Sequence, residues 1–464
     1  MYKQARWLMP ETRNVALLAA FSASLLACSV ARIPVSTTAT PTIVNEEGVM
    51  STDQAEKVVQ TIVKDSPDPT AAAESISMLT SLSETPLYKG NKATLLVDGP
   101  RTYAAMLEAI AAARESINIE TYIFADDEVG QRFADALIER SRAGVTVRLI
   151  YDSIGSWISD EEFFDLLTNA GIQVQEFNGI NPLSGGNPLK ANNRTHRKLL
   201  IVDDAVAFTG GINVSNTYSS ASNDRLRKRK DPLLSGWRDT HLAVRGPAVA
   251  AFQAAFADNW EGEELTPAAG QFAECKTDGS CDDVVAVLHS EGGDGQESPI
   301  YRAYLEAMQR TESRIWITQA YFAPDETFTT LLGDAAARGV DVRLIVPGIS
   351  DSAAILHASR SRYGKLLERG IRIYETTGTF LHAKTAVIDG VWSTVGSSNL
   401  DYRSFLHNDE VNAIVLGPHF GKQMEAQFEL DLSDTREVTL EQWKQRPALD
   451  RLKEVFSWVV EYWL

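Results

Sequence analysis

Two histidines in this chain each stand two residues before a lysine. His196 and Lys198 lie in NRTHRKLLIVDDAVAFTGGIN, and His382 and Lys384 lie in FLHAKTAVIDGVWSTVGSSN. Residues two apart on a strand point to the same side, so each pair projects an imidazole and an ammonium together. Five residues after each lysine comes an aspartate, Asp203 or Asp389, and then a small-residue turn ending in an amide. The turns are Gly210-Gly211-Ile212-Asn213 and Gly396-Ser397-Ser398-Asn399. A single His-x-Lys on a half-exposed strand is commonplace; two with matched downstream spacing are not.

Two imidazoles, two ammonium groups and two amides suit a phosphate whose charge spreads over its oxygens. Lys198, Lys384, Asn213 and Asn399 are the candidate phosphate-binding groups. One histidine attacks phosphorus, while the other protonates the departing alcohol and then takes a proton from the incoming one. The lysines supply the countercharge, so this chemistry calls for no metal and no cofactor. A histidine nucleophile needs its second ring nitrogen held in one tautomer, commonly by a carboxylate. Asp239 in WRDTHLAV and Glu410 in HNDEVNAIV occupy equivalent places after the two motifs and are the candidate orienting groups. Asp203 and Asp389 fall within the hairpins and are expected to fix their turns, together with Gly210, Gly211, Gly396 and Ser397.

The elements that position these groups form an internal repeat. INIETYIFADDE (Ile117 to Glu128) matches IWITQAYFAPDE (Ile315 to Glu326), and RAGVTVRLIYD (Arg142 to Asp152) matches ARGVDVRLIVP (Ala337 to Pro347). AGIQVQEF (Ala170 to Phe177) then matches RGIRIYET (Arg369 to Thr376), and the two His-Lys segments follow in the same order. A period near two hundred residues is a duplicated domain rather than a solenoid. Each copy reads as strand, helix, strand, helix, strand and a strand pair carrying the motif. Runs such as VTVRLIY suit strands buried on both faces, so the expected fold is α/β: two tandem domains with mixed, mostly parallel sheets flanked by helices, packed about a pseudo-two-fold axis. The expected boundaries are 88–262 and 284–464, with an acidic, Gly-rich linker at 263–283.

The chain of 464 residues carries a formal charge of −18, which weighs against nucleic acid as a partner. Lys3, Arg6 and Arg13 precede the apolar run Val15 to Ala27, too short for a comfortable membrane span and suited to a signal-peptide core. Residues 1–27 are therefore expected to be removed, taking three cations and one anion (Glu11) with them, and 28–87 reads as a tether with loose helices. Cys275 and Cys281 flank an Asp-Gly turn and could close a small disulfide loop, with two free thiols as the alternative.

The two HxKxxxxD motifs, each followed by GG or GS and an asparagine, resemble the signature of the phospholipase D superfamily. ETYIFADDE, GWRDTHLAVRGPAV, QAYFAPDE and LHAKTAVIDGVWSTVGSSNLDYRSF are similar to segments of bacterial cardiolipin synthases, and the resemblance runs from about Leu87 to the C-terminus. It implies transfer of a phosphatidyl group through a phosphohistidine to the hydroxyl of phosphatidylglycerol, with an anionic phospholipid membrane as the partner. It implies His196 as nucleophile and His382 as general acid and base, although the near-symmetric residues leave the reverse open. Hydrolysis to phosphatidic acid is the rival activity, and a secreted phosphodiesterase or nuclease a more distant one. Leu25-Leu26-Ala27-Cys28 resembles a bacterial lipobox with Cys28 as lipidation site. That implies a lipid-anchored envelope protein on the periplasmic side, with Ser29 putting the outer membrane ahead of the inner. The basic run Arg225 to Lys230 could draw anionic headgroups, and Val455 to Leu464 could form an interfacial segment.

Overall fold

The computed structural model describes residues 41–66, 86–179, 192–220, 236–262, 282–293 and 297–447, with isolated positions between 69 and 76 and at 265. Cys28, the Cys275/Cys281 pair, the basic run and the C-terminal segment lie outside the described residues.

The first copy contains β1 (Leu87–Val97), α1 (Asp98–Ala112), β2 (Ser116–Thr121), α2 (Glu128–Arg142), β3 (Thr146–Asp152), α3 (Glu161–Asn169), β4 (Gln173–Phe177), β5 (Leu199–Val202), β6 (Val206–Gly210), β7 (Thr240–Arg245) and α4 (Val249–Asn259). The second contains β8 (Asp283–Ser290), α5 (Pro299–Arg310), β9 (Arg314–Gln319), α6 (Glu326–Ala337), β10 (Asp341–Val346), α7 (Ala353–Glu368), β11 (Arg372–Thr376), β12 (Lys384–Ile388), β13 (Trp392–Gly396), β14 (Asn408–Leu416), α8 (Pro418–Leu432) and β15 (Thr435–Val438).

Strand order repeats with the sequence. The first copy runs β4-β3-β2-β5-β6-β7-β1. The second runs β11-β10-β9-β12-β13-β14-β8, with β15 added at its outer edge. The two rows join where the first half of β1 pairs antiparallel with β8, so equivalent strands meet head to tail, as a two-fold relation requires.

The sheets are mixed, and the expectation of mostly parallel pairing is corrected here. Within the two rows of strands, parallel pairing is confined to β2-β3-β4 and β9-β10-β11, whose connections are helices. The motif strands instead form tight hairpins, which only antiparallel strands can do. Asp203 and Asp204 turn the first hairpin at φ 51° and 48°, and Asp389 and Gly390 the second at 51° and 67°. Positive φ at both central residues matches the twist of the flanking strands. Each aspartate also anchors the start of the neighbouring strand. Asp203 accepts the backbone N–H of Arg114, Glu115 and Ser116, and Asp389 those of Glu312, Ser313 and Arg314.

Two apolar cores lie one in each copy, and a third is shared. Phe252 and Phe256 of α4 and Phe420, Met424 and Phe428 of α8 pack in it with Val285, Trp316 and Val387. The strands carrying the second motif are buried along their whole length, which holds what they carry rigidly.

Candidate active site

Each histidine leans on a carboxylate from the other copy. His196 Nδ1 lies 2.9 and 3.0 Å from the Glu410 carboxylate oxygens, and His382 Nδ1 lies 2.7 Å from Asp239 Oδ2. The backbone explains the exchange. His196 N–H donates to the carbonyl of Asp409 (2.9 Å), one residue before Glu410, while His382 N–H donates to that of Arg238 (2.8 Å), one residue before Asp239. Neither copy alone contains a complete pair.

Lys198 and Lys384 are buried, and each donates from Nζ to the carbonyl of its own histidine at 2.6 Å. Burial lowers Lys198 to about 7 and Lys384 to about 8, against the pull of Glu410 and Asp239 respectively. An arriving phosphate would restore both charges.

The two pairs differ in charge. Burial drives the His196 imidazole down to about 4, although Glu410 opposes it. Burial alone would raise Glu410, but the imidazole, Lys198 and the Ser397 hydroxyl outweigh it and hold the carboxyl at about 2. Ser397 Oγ donates to Glu410 Oε2 at 2.5 Å. At neutral pH this pair is a neutral imidazole donating Nδ1–H to a fixed anion. Burial also keeps His382 neutral, well below the usual histidine value. Its partner Asp239 is raised by burial to about 7, against Lys384. That carboxyl accepts its own neighbour's N–H, from Thr240 at 2.7 Å, and Gly211 stands where the second copy has Ser397. A Cβ at Gly211 would come within 2.2 Å of Asp239 Oδ1, so no hydroxyl can be placed there.

The amides behave unequally. Asn213 Oδ1 accepts from Ile123 N–H at 3.2 Å and its Nδ2 donates to Tyr218 Oη at 2.9 Å, so much of this side chain is already engaged. Asn399 is buried with an unpartnered Oδ1. Gly210 (φ 156°) and Gly396 end the motif hairpins, and a Cβ on either would meet the neighbouring strand. His241, buried below the first turn, accepts from Ile212 N–H (3.4 Å) and is structural.

Sequence reasoning missed the rings. Tyr122 lies edge-on to His196 (5.4 Å) with Lys198 over its face (5.5 Å), and Tyr321 stands likewise to His382 (6.2 Å) and Lys384 (5.8 Å). His382 also meets Trp237 at 5.1 Å and Tyr218 at 5.5 Å, both from the first copy. Arg238 was missed too: its guanidinium grips Asp431 at 2.8 and 2.7 Å and fixes the segment that carries Asp239. Among the described residues, no group of three His, Cys, Asp or Glu side chains converges as a metal site.

Two copies of one α/β unit that exchange carboxylates across paired histidines define a duplicated phospholipase D-like architecture. The family model "Cardiolipin synthase, PLD-like domain" matches residues 106–235 and 304–432, and the chain belongs to that family. A cardiolipin synthase of Halalkalibacterium halodurans is 33% identical over 80% of this chain and 72% of its own length. Cardiolipin synthase A of Pseudomonas aeruginosa is 34% identical over 82% of this chain and 74% of its own. Among solved structures, a phosphatidylserine synthase of Haemophilus influenzae superposes over 82% of this chain and 98% of its own with a TM-score of 0.62, at 13% identity, which is a likeness of fold.

Proposed function

We propose that this chain is a phosphatidyltransferase that makes cardiolipin, moving a phosphatidyl group through His196 to the hydroxyl of phosphatidylglycerol. The observation that carries the reading is the crossed pairing, His196 with Glu410 and His382 with Asp239, beside two buried lysines. The names of the relatives support the lipid class.

The unequal pairs suit unequal roles. With Nδ1–H committed to the Glu410 anion, His196 keeps an Nε2 lone pair for phosphorus. The His382–Asp239 pair holds one exchangeable proton more. When Asp239 is protonated it donates to Nδ1, and the imidazole presents Nε2–H as an acid. When Asp239 is ionised, Nδ1–H donates to it and Nε2 is a base.

In the first half-reaction a His196 Nε2–P bond forms, and the P–O bond to the departing alcohol breaks. That oxygen takes the Nε2 proton of His382, and the Asp239 proton moves to Nδ1. In the second, His382 Nε2 takes the proton of the incoming hydroxyl, whose oxygen attacks phosphorus as the P–N bond breaks. Lys198 and Lys384 neutralise the phosphate throughout and the Asn399 amide donates Nδ2–H to it, while Asn213 is held by Ile123 and Tyr218.

The lipobox-like Leu25 to Cys28 supports a lipid anchor on the periplasmic side of the envelope, the outer membrane ahead of the inner. No helix among the described residues is long and apolar enough to cross a membrane. Incubation with phosphatidylglycerol vesicles is expected to yield cardiolipin plus glycerol. Phosphatidic acid as sole product would make the protein a hydrolase instead.

A further inference from the structure

Beyond the reaction itself, the loop after β3, Ser153 to Asp160, holds two large apolar side chains in water. Trp157 is 78% exposed and Ile158 68%, the only such neighbours in sequence among the described residues. The loop is firmly built. Asp152 accepts the N–H of Ile154 (2.9 Å) and of Gly155 (3.0 Å). Ser156 Oγ accepts Phe124 N–H at 3.0 Å and donates to the Tyr122 carbonyl at 3.2 Å. Ser159 Oγ accepts Asp126 N–H at 3.1 Å and donates to the Phe124 carbonyl at 2.9 Å. Gly155 sits so close to Tyr122 that a Cβ would fall 2.0 Å from its carbonyl oxygen.

These same contacts tie the loop to the reacting histidine. Tyr122 lies against His196, and the other oxygen of Asp152 accepts Thr195 N–H at 3.1 Å, one residue before His196. An indole and a branched aliphatic held outward on a fixed loop suit the boundary between headgroups and acyl chains. Asp160, Glu161 and Glu162 follow directly, so the contact is apolar rather than an attraction to anionic lipid. In the second copy the corresponding loop carries Ile349-Ser350-Asp351-Ser352, with Asp351 bound to Tyr321 Oη at 2.7 Å, and has no such pair.

We propose that Trp157 and Ile158 form a wedge that enters a lipid bilayer and sets the His196 side of the site against its surface. The proposal rests on the phospholipid reading above, and its test separates the two. The full chain and its Trp157→Ser/Ile158→Ser variant are compared on phosphatidylglycerol vesicles and on monomeric short-chain phosphatidylglycerol. The variant is expected to lose about tenfold on vesicles while staying within about twofold on the monomeric lipid. Equal vesicle turnover by both proteins overturns the wedge. A wild type that turns over neither lipid overturns the proposed reaction, and docking is then decided by vesicles with brominated acyl chains. These should quench wild-type tryptophan emission more than the variant's, whether or not salt is raised. Equal quenching, or quenching abolished by salt, contradicts apolar insertion. So does a wild-type dimer that dissociates in the double variant, because the pair would then cover a second copy.

Discussion

The two histidine–carboxylate pairs were built from one ancestral unit and differ by a handful of atoms. Around His196, the imidazole itself, a lysine and a serine hydroxyl keep Glu410 ionised, and Tyr122 is the one ring in contact among the described residues. Around His382, glycine replaces that serine, Asp239 titrates near 7, and Trp237, Tyr218 and Tyr321 close in. Duplication supplied two equal imidazoles. In the proposed mechanism, the difference between a fixed anion and a movable proton separates the nucleophile from the acid–base group.

That comparison can be broken most severely at the histidines. His196→Ala and His382→Ala are each expected to lower turnover on the order of 10⁴-fold, measured as cardiolipin formed by lipid mass spectrometry. Full activity in either would end the paired mechanism. At the carboxylates, Glu410→Gln should cost on the order of a thousandfold by releasing the tautomer of His196. Asp239→Asn should cost on the order of a hundredfold and remove the proton store from the pH profile. Identical losses with identical profiles would mean that the pairs do the same work.

The pH dependence follows from the same groups. The proposed mechanism requires Asp239 to be protonated when the first alcohol leaves and Lys198 and Lys384 to be charged, with values of about 7, 7 and 8. All three lose their proton as pH rises, so kcat/KM should fall on the alkaline side, beginning near 7. Ser397→Ala removes a donor from Glu410 and should cost about tenfold, moving the acid limb upward because the carboxyl binds its proton more readily. The smallest effect on chemistry, and a clear one on stability, is expected at the hairpin turns. Asp389→Ala leaves three backbone N–H groups without their acceptor and should destabilise by about 3 kcal/mol in denaturant unfolding. Asp203→Ala should cost less because that site is more open to water.

Much of this was legible in the sequence because the repeat announces itself. The element order from β2 to β6 and from β9 to β13, both hairpins and the groups His196, Lys198, His382, Lys384, Asp239 and Glu410 follow from periodicity and matched spacing. The exchange of carboxylates does not. It depends on side-chain contacts between residues 214 and 143 positions apart, and single-chain periodicity carries no signal for contacts at that range. Tyr122 and Tyr321 escaped for a different reason: they sit one alignment position apart, so matching the copies residue by residue sets Tyr321 against Ile123. An aromatic residue at the end of each strand before ADDE and APDE was the available clue. The mixed sheet was expected, but the predominance of antiparallel pairs was missed because buried apolar runs look alike in parallel and antiparallel strands.

The most direct test of unequal pairs is to ask which histidine carries the phosphatidyl group. His382→Ala, given phosphatidyl-p-nitrophenol, whose leaving group needs no proton, and quenched in alkaline denaturant, should accumulate a covalent adduct that peptide mass spectrometry places on His196. The complementary His196→Ala should yield none. An adduct on His382 in the wild type or in His196→Ala would contradict the account, because the group with the movable proton would then be the nucleophile.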